Sequence, residues 1–254
     1  VTGILKDAAV KVPAVTLGFW VIKILATTLG ETAGDTVSMS MDLGYLVGTA
    51  IFIVPLVLLV VFQVRARSFH APLYWATIIA STTAGTTMAD FADRSLGIGY
   101  AGGSLLLLAC VLLTLAAWRL TLGSISVDTI SNARSESFYW VTITFSQTLG
   151  TALGDWAADD GGLGYLVGAA LFGGALLVLV ALWRLTSVSR ILLFWAAFIL
   201  TRPLGATVGD FLDKPLAKGG LDFSRPLASA VLIAAIVALI AFLPQRAHQG
   251  TKGH

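Results

Sequence analysis

Apolar residues fill this chain in long runs. Residues 43–62 and 161–183 contain no charged side chain, and residues 101–118 and 227–243 are built the same way. About 20 apolar residues in a helix cross a hydrocarbon layer of roughly 30 Å, a length that a strand or an ordinary amphipathic helix does not need. Each run therefore predicts a transmembrane helix. Before each run stands a stretch in which leucine, isoleucine and alanine mix with threonine, serine, glycine and an aspartate. Those stretches predict a second kind of helix, apolar enough to enter a bilayer and polar along part of its surface. The pattern is that of an all-α integral membrane protein.

Tryptophan sets the register of an internal repeat. Trp20, Trp75, Trp140 and Trp195 are followed ten residues later by Gly30, Gly85, Gly150 and Gly205, and fifteen residues later by Asp35, Asp90, Asp155 and Asp210. Tyr45, Tyr100 and Tyr165 stand at offset 25, where the fourth unit has Gly220. Intervals of 55, 65 and 55 residues separate the tryptophans, so units one and three are spaced like units two and four. Odd units share Thr28-Leu29-Gly30 with Thr148-Leu149-Gly150; even units share Asp90-Phe91 with Asp210-Phe211, Asp93 with Asp213 and Arg94 with Lys214. A two-helix unit doubled twice explains these matches. Residues 1–243 then form one transmembrane domain, with units at about 15–66, 70–119, 135–185 and 190–243, and residues 244–254 form a polar tail. Each unit predicts a helix A that starts near the tryptophan and a helix B that starts near the tyrosine. Eight transmembrane helices follow, in four parallel two-helix repeats with pseudo-fourfold or nested twofold symmetry, and the A helices are expected as a central ring.

Composition removes several function classes. Of the 254 residues 57% are hydrophobic and 12% are charged, about half the charged share of a soluble domain. The lone Cys110 gives no disulfide framework or Cys-x-x-Cys site, and His70, His248 and His254 make no imidazole cluster. A net charge of +2 without a basic block leaves no footprint for nucleic acid. No catalytic triad, P-loop or zinc-protease motif occurs, so neither an enzyme nor an ATP-driven pump is expected. The start of the sequence shows no cleavable-signal pattern. Ten lysines and arginines fall on the side of both chain ends, and four (Arg94, Lys214, Lys218, Arg225) fall on the other. The positive-inside rule then places both termini in the cytoplasm, in a bacterial inner membrane. The expected partners are the lipid bilayer and a transported ion; no cofactor motif is present and no oligomeric state is specified.

The candidate chemistry lies in the A helices. At 1.5 Å per residue the four aspartates sit about 22 Å beyond the tryptophans, still at membrane depth. Carboxylates there face protein or a wet cavity and mark ion or proton paths. Glu31 adds a fifth acid one turn before Asp35. Crowded like charges favour partial protonation, which is what exchange of a cation for protons requires. Thr28, Thr32, Thr83, Thr87, Thr148, Thr151 and Thr207 recur beside the acids and are expected to line a hydrated cavity. Lys23 and Arg202 enter the same helices as charge partners: Lys23 reads most simply as snorkelling to the interface, whereas Arg202 lies deeper and can neutralise Glu31 or an aspartate. Oxygen donors suit a hard divalent cation, with Asp35, Asp90, Asp155 and Asp210 as its ligands. A plainer reading competes, in which Gly-Asp ends a helix and the glycine pairs serve packing.

The run Thr28-Leu29-Gly30-Glu31-Thr32-Ala33-Gly34-Asp35, with Gly44-Tyr45-Leu46-Val47-Gly48, resembles a bacterial family of multi-repeat inner-membrane proteins characterised only as membrane-anchored; the resemblance covers all four units and implies no substrate. Residues Glu31 to Thr36 also resemble the Glu-x-Gly-Asp signature of calcium/manganese–proton exchangers, with one extra residue before Gly34 and the glutamate in the first unit alone. The leading expectation is a secondary transporter of a divalent cation, Mn²⁺, Mg²⁺ or Ca²⁺, coupled to protons through these carboxylates. A cation channel, a carrier of small organic anions centred on Arg202 and a non-transporting scaffold are the alternatives.

Overall fold

The computed structural model describes residues 10–248, all-helical apart from one isolated bridge. Eight long helices carry the fold: α1 (Leu17–Asp35), α2 (Gly44–Arg65), α3 (Ala71–Asp90), α4 (Tyr100–Leu122), α5 (Ala133–Asp155), α6 (Gly164–Leu185), α7 (Arg190–Asp213) and α8 (Arg225–Phe242). Five of them, α2, α4, α6, α7 and α8, are long and apolar enough to cross a membrane. Local signals set the starts. Thr16 accepts a hydrogen bond from Phe19 N ahead of α1, and Asn132 with Ser135 forms a capping box ahead of α5. Arg65, Arg119 and Arg184 sit in the last turns of α2, α4 and α6, where the helix dipole favours a cation.

The odd-numbered helices form a closed ring, α1 on α3, α3 on α5, α5 on α7 and α7 back on α1. The outer helices do not lean on their own partners. Instead α2 packs on α3, α4 on α5, α6 on α7, and α8 closes the circle on α1. Each hairpin thus straps itself to the next unit. This explains why α1, α3 and α5 tolerate so many hydroxyls: their neighbours are protein. The outer helices turn Leu46, Leu58, Leu105, Leu113, Leu177 and Val231 outward, an apolar surface far beyond what a water-exposed monomer carries.

Two glycine positions explain the repeat. A Cβ on Gly30 would meet Thr82, on Gly85 the backbone of Gln147, on Gly150 the Arg202 side chain, and on Gly205 Thr27. In every case the intruder stands seven residues after the tryptophan of the next unit around the ring. The offset-10 glycine is therefore a notch that lets neighbouring ring helices cross closely. The second position is Gly44, Gly99, Gly164 and Gly219, all at offset 24 with φ of 73°, 75°, 71° and 81°. A left-handed residue is needed there to turn the chain into the outer helix.

Directly after the aspartate, α1, α3 and α5 widen into π-helical turns at Thr36–Ser40, Phe91–Ser95 and Trp156–Asp160. Met41, Leu96 and Gly161 donate to carbonyls five residues back, at 2.9, 3.0 and 2.7 Å. The fourth unit has no such turn. Pro215 stands where the others have Ser40, Ser95 and Asp160, and it has no N–H to give. Helix α7 stays regular through Asp213, and the Phe211 carbonyl accepts from Leu221 N instead, at 2.8 Å.

The four repeat tryptophans pack inward rather than forming a lipid-facing belt, with Trp20 partly buried. Trp75, Trp140 and Trp195 are buried with Tyr74, Tyr139, Trp118 and Phe198 in an aromatic core at one end of the ring. Tyr74 and Tyr139 join their hydroxyls at 2.6 Å. Both ends of the described chain meet nearby, with Pro13 bridged to Ala247 and Trp75 Nε1 donating to Gln245 at 3.1 Å. The start of the polar tail, residues 244–248, is therefore fixed against the bundle, and residues 249–254 lie outside the described region.

Candidate functional site

The ring brings its acids to the end opposite the aromatic core. Asp35, Asp90, Asp155 and Asp210 are 1–3% exposed, and each is ion-paired. Lys214 bridges Asp35 at 2.7 Å and Asp210 at 2.9 Å. Arg94 bridges Asp90 at 2.9 Å and Asp155 at 3.2 Å. The two bridges are related by the internal twofold: an even unit supplies a cation at offset 19, which ties its own aspartate to that of the following odd unit. Arg225 adds contacts of 3.7 Å to Asp35 and 3.4 Å to Asp213. Asp93, the counterpart of Asp213, is buried against Gly103 with neither carboxylate oxygen hydrogen-bonded.

The four aspartates are thus split into two pairs rather than gathered round one point. The carboxylates that converge are Glu31, Asp35 and Asp210, whose nearest oxygens all lie within 4.8 Å of one another. Glu31 comes in because α7 passes α1 at Gly209, where a Cβ would meet the Glu31 side chain. Asp90 and Asp155 belong to the Arg94 bridge instead.

One turn deeper, Arg202 closes the ring. Its side chain crosses Gly150, and its Nη2 atom reaches Glu31 at 3.0 Å, Thr86 at 2.6 Å and Thr151. Those partners stand at offset 11 of the other three ring helices, so the guanidinium lies on the ring axis. Nη1 donates to the Thr27 carbonyl at 3.4 Å. The expected pairing of Arg202 with Glu31 is present. Lys23 behaves otherwise: it neither snorkels nor pairs with a carboxylate among the described residues. It is fully buried, with Nζ 3.4 Å from Thr201 Oγ1 and 4.0 Å from the Phe198 ring centroid.

The threonines do not form an open lining. Thr28, Thr83 and Thr148 donate to carbonyls four residues back on their own helices, at 3.0, 2.8 and 3.0 Å. Thr32 donates to Leu29 O and receives a hydrogen bond from Ser229 on α8. Thr87 and Thr207 bond within their own helices and fill the space beside Gly48 and Gly168. Only Thr151 takes part in the charged network, joined there by Thr86. A hydroxyl in an apolar helix finds its nearest acceptor one turn back, and that local bond outcompetes a wet cavity.

Charge counting places Lys214, Arg94 and Arg225 in outer loops, yet they reach back into the acid layer. A signal existed, because Asp93-Arg94 and Asp213-Lys214 recur in the even units at matching offsets. A cation that recurs with its aspartate four residues earlier is a bridge in waiting.

A ring of four duplicated hairpins, wrapped in apolar helices of membrane-spanning length, is a repeat protein whose ring helices bury their acids between them. The chain belongs to the DUF347 family, described as a repeat of unknown function, whose repeat matches residues 18–69, 73–123, 138–189 and 193–246. Those four matches coincide with the four hairpins. No curated protein and no solved structure matches the chain.

Proposed function

We propose that the protein is a secondary transporter, with all eight helices crossing the bilayer, that exchanges a hard divalent cation for protons at Glu31, Asp35 and Asp210. The observation that supports this most is charge balance. Seven buried carboxylates (Glu31, Asp35, Asp90, Asp93, Asp155, Asp210 and Asp213) face four basic groups, Arg94, Arg202, Lys214 and Arg225. The acids outnumber these cations by three, so Arg94 and Lys214 are each shared between two carboxylates and Asp93 has no basic partner among the described residues. A buried carboxylate in that position takes up a proton or a cation.

The two halves of the layer are suited to different work. Arg94 keeps its charge at any physiological pH and holds Asp90 and Asp155 as a fixed brace. Lys214 is a point charge on a flexible stem, and it stands between Asp35 and Asp210 where an ion would be held. Oxygens around an ion at about 2.1–2.5 Å stand roughly 3–5 Å apart, which the 4.8 Å grouping of Glu31, Asp35 and Asp210 allows. An arriving ion displaces the Lys214 ammonium and any proton on the acids; its departure lets both return. The likeness of Glu31 to Asp35 to the exchanger signature points the same way. A channel along the axis has less support, because the Arg202 guanidinium lies on it, and the engagement of Arg202 with Glu31, Thr86 and Thr151 also weakens the organic-anion reading.

The test is flux in proteoliposomes with Mn²⁺, Mg²⁺ and Ca²⁺ offered in turn and an internal pH dye. Saturable ion movement with opposite proton movement is expected, reduced at least tenfold in Asp35→Asn and in Asp210→Asn while both variants stay folded. Normal transport by both, or no flux with any of these ions, overturns the proposal.

A further inference from the structure

One level nearer the chain ends, the ring holds polar groups that the carboxylate layer does not use. Lys23 on α1 is fully buried. Its neighbour Thr201 gives its own hydroxyl proton to the Phe198 carbonyl at 2.8 Å, so Lys23 is the donor in their 3.4 Å contact. The Lys23 amine carries at least two N–H groups in either protonation state. One long hydrogen bond and a ring face leave donor capacity over, and no carboxylate pairs with it among the described residues.

The other three ring helices contribute at the same level. Thr82 on α3, Gln147 on α5 and Arg202 on α7 share offset 7, and each crosses the notch glycine of the unit before it. For Arg202 that crossing ends on the ring axis. Thr82 and Gln147 make the equivalent crossings, at Gly30 and Gly85. All three are fully buried, as is Ser146 beside them. At this level Thr82 Oγ1, Ser146 Oγ, Gln147 Nε2 and Arg202 Nε have no hydrogen-bond partner, and Gln147 Oε1 is the unpartnered atom here that can only accept. The two hydroxyls can donate or accept, but the groups that only donate, Gln147 Nε2, Arg202 Nε and the Lys23 amine, outnumber the one that only accepts, and with Arg202 paired to Glu31 it is Lys23 that lacks a carboxylate.

Buried donors without acceptors are costly, and an unpaired buried cation more so. One small anion removes both penalties. We propose that the ring binds a small inorganic anion of chloride size at this level, between Lys23 and Arg202, with Gln147, Ser146 and Thr82 as further donors. The ring helices cross closely at their glycines, which favours a small ion over a bulky oxyanion. The site balances Lys23 whether or not the acids beyond Arg202 carry a cation, so it stands or falls separately from the transport reading.

Two measurements on the purified full chain test it. Thermal unfolding in detergent is compared in chloride, bromide and gluconate, and anomalous scattering is recorded from crystals grown in bromide. A saturable halide-dependent rise in Tm is expected, lost in Lys23→Met and kept in Lys218→Met, an exposed lysine. A bromide peak is expected within hydrogen-bonding reach of Lys23 Nζ. If Lys23→Met does not fold, Gln147→Leu serves in its place and weakens the apparent halide affinity at least tenfold. Equal halide stabilisation of the variant and the parent, or ordered water alone at the site, overturns the proposal.

Discussion

Arg202 shows how far one side chain here depends on another. It has no exposure to solvent, and Glu31 is its only carboxylate partner among the described residues. Removing one member of such a pair strands the other, at a cost of about 3–5 kcal/mol, whereas replacing both by apolar groups is close to neutral. Arg202→Met should therefore lower the unfolding free energy in detergent by that amount, and adding Glu31→Leu should restore most of it. A double variant no more stable than Arg202→Met alone would mean that Thr86 and Thr151, rather than Glu31, carry the guanidinium. Among residues, the acids and Arg202 were legible because charge in an apolar run is rare. The orphaned Gln147 was not, since glutamine in sequence gives no hint of what it faces.

At the scale of helices, the glycines divide by what lies opposite them. A Cβ on Gly205 would stand 2.7 Å from the backbone carbon of Thr27, so α1 and α7 would have to separate. Gly174, on the outward face of α6, has nothing within 4 Å. Gly205→Ala should destabilise by about 1–3 kcal/mol through overpacking, and Gly174→Ala should stabilise by up to about 1 kcal/mol through helix propensity. Denaturant titration in micelles measures both, and the same sign for the two would contradict the notch. The missing π turn in the fourth unit belongs to this scale too. Pro215 keeps α7 regular and leaves Lys214 directly after the helix, whereas Arg94 makes the equivalent bridge from within a π turn.

For the whole molecule, the decisive feature is cyclic strapping. Each outer helix covers the ring helix of the next unit, and α8 covers α1, so the fold is complete only when the last hairpin closes on the first. Arg94, Lys214 and Arg225 also leave the tally of loop charges once they are seen to pair with aspartates. Of the four basic residues assigned to that side, Lys218 alone remains, which sharpens the charge asymmetry that predicts orientation. In a Cys110→Ala background, Ser68→Cys should label with an impermeant thiol reagent from the cytoplasmic side only and Asp160→Cys from the opposite side only. Labelling of both from one side would refute four parallel hairpins.

The sequence alone determined the number of units, the helices, their order and the acids, because hydropathy and the tryptophan, glycine and aspartate offsets are linear signals that survive duplication. It also held the notch glycines and the Gly-Tyr turns as a rhythm without a stated cause. Tertiary structure decided the rest: that outer helices cross to the next unit, that threonines bond to their own helices, and that four aspartates divide into a lysine-bridged and an arginine-bridged pair. Those outcomes depend on which side chains meet across the ring. Such meetings are set by close packing between units far apart in the chain, which no periodicity along one strand of sequence encodes.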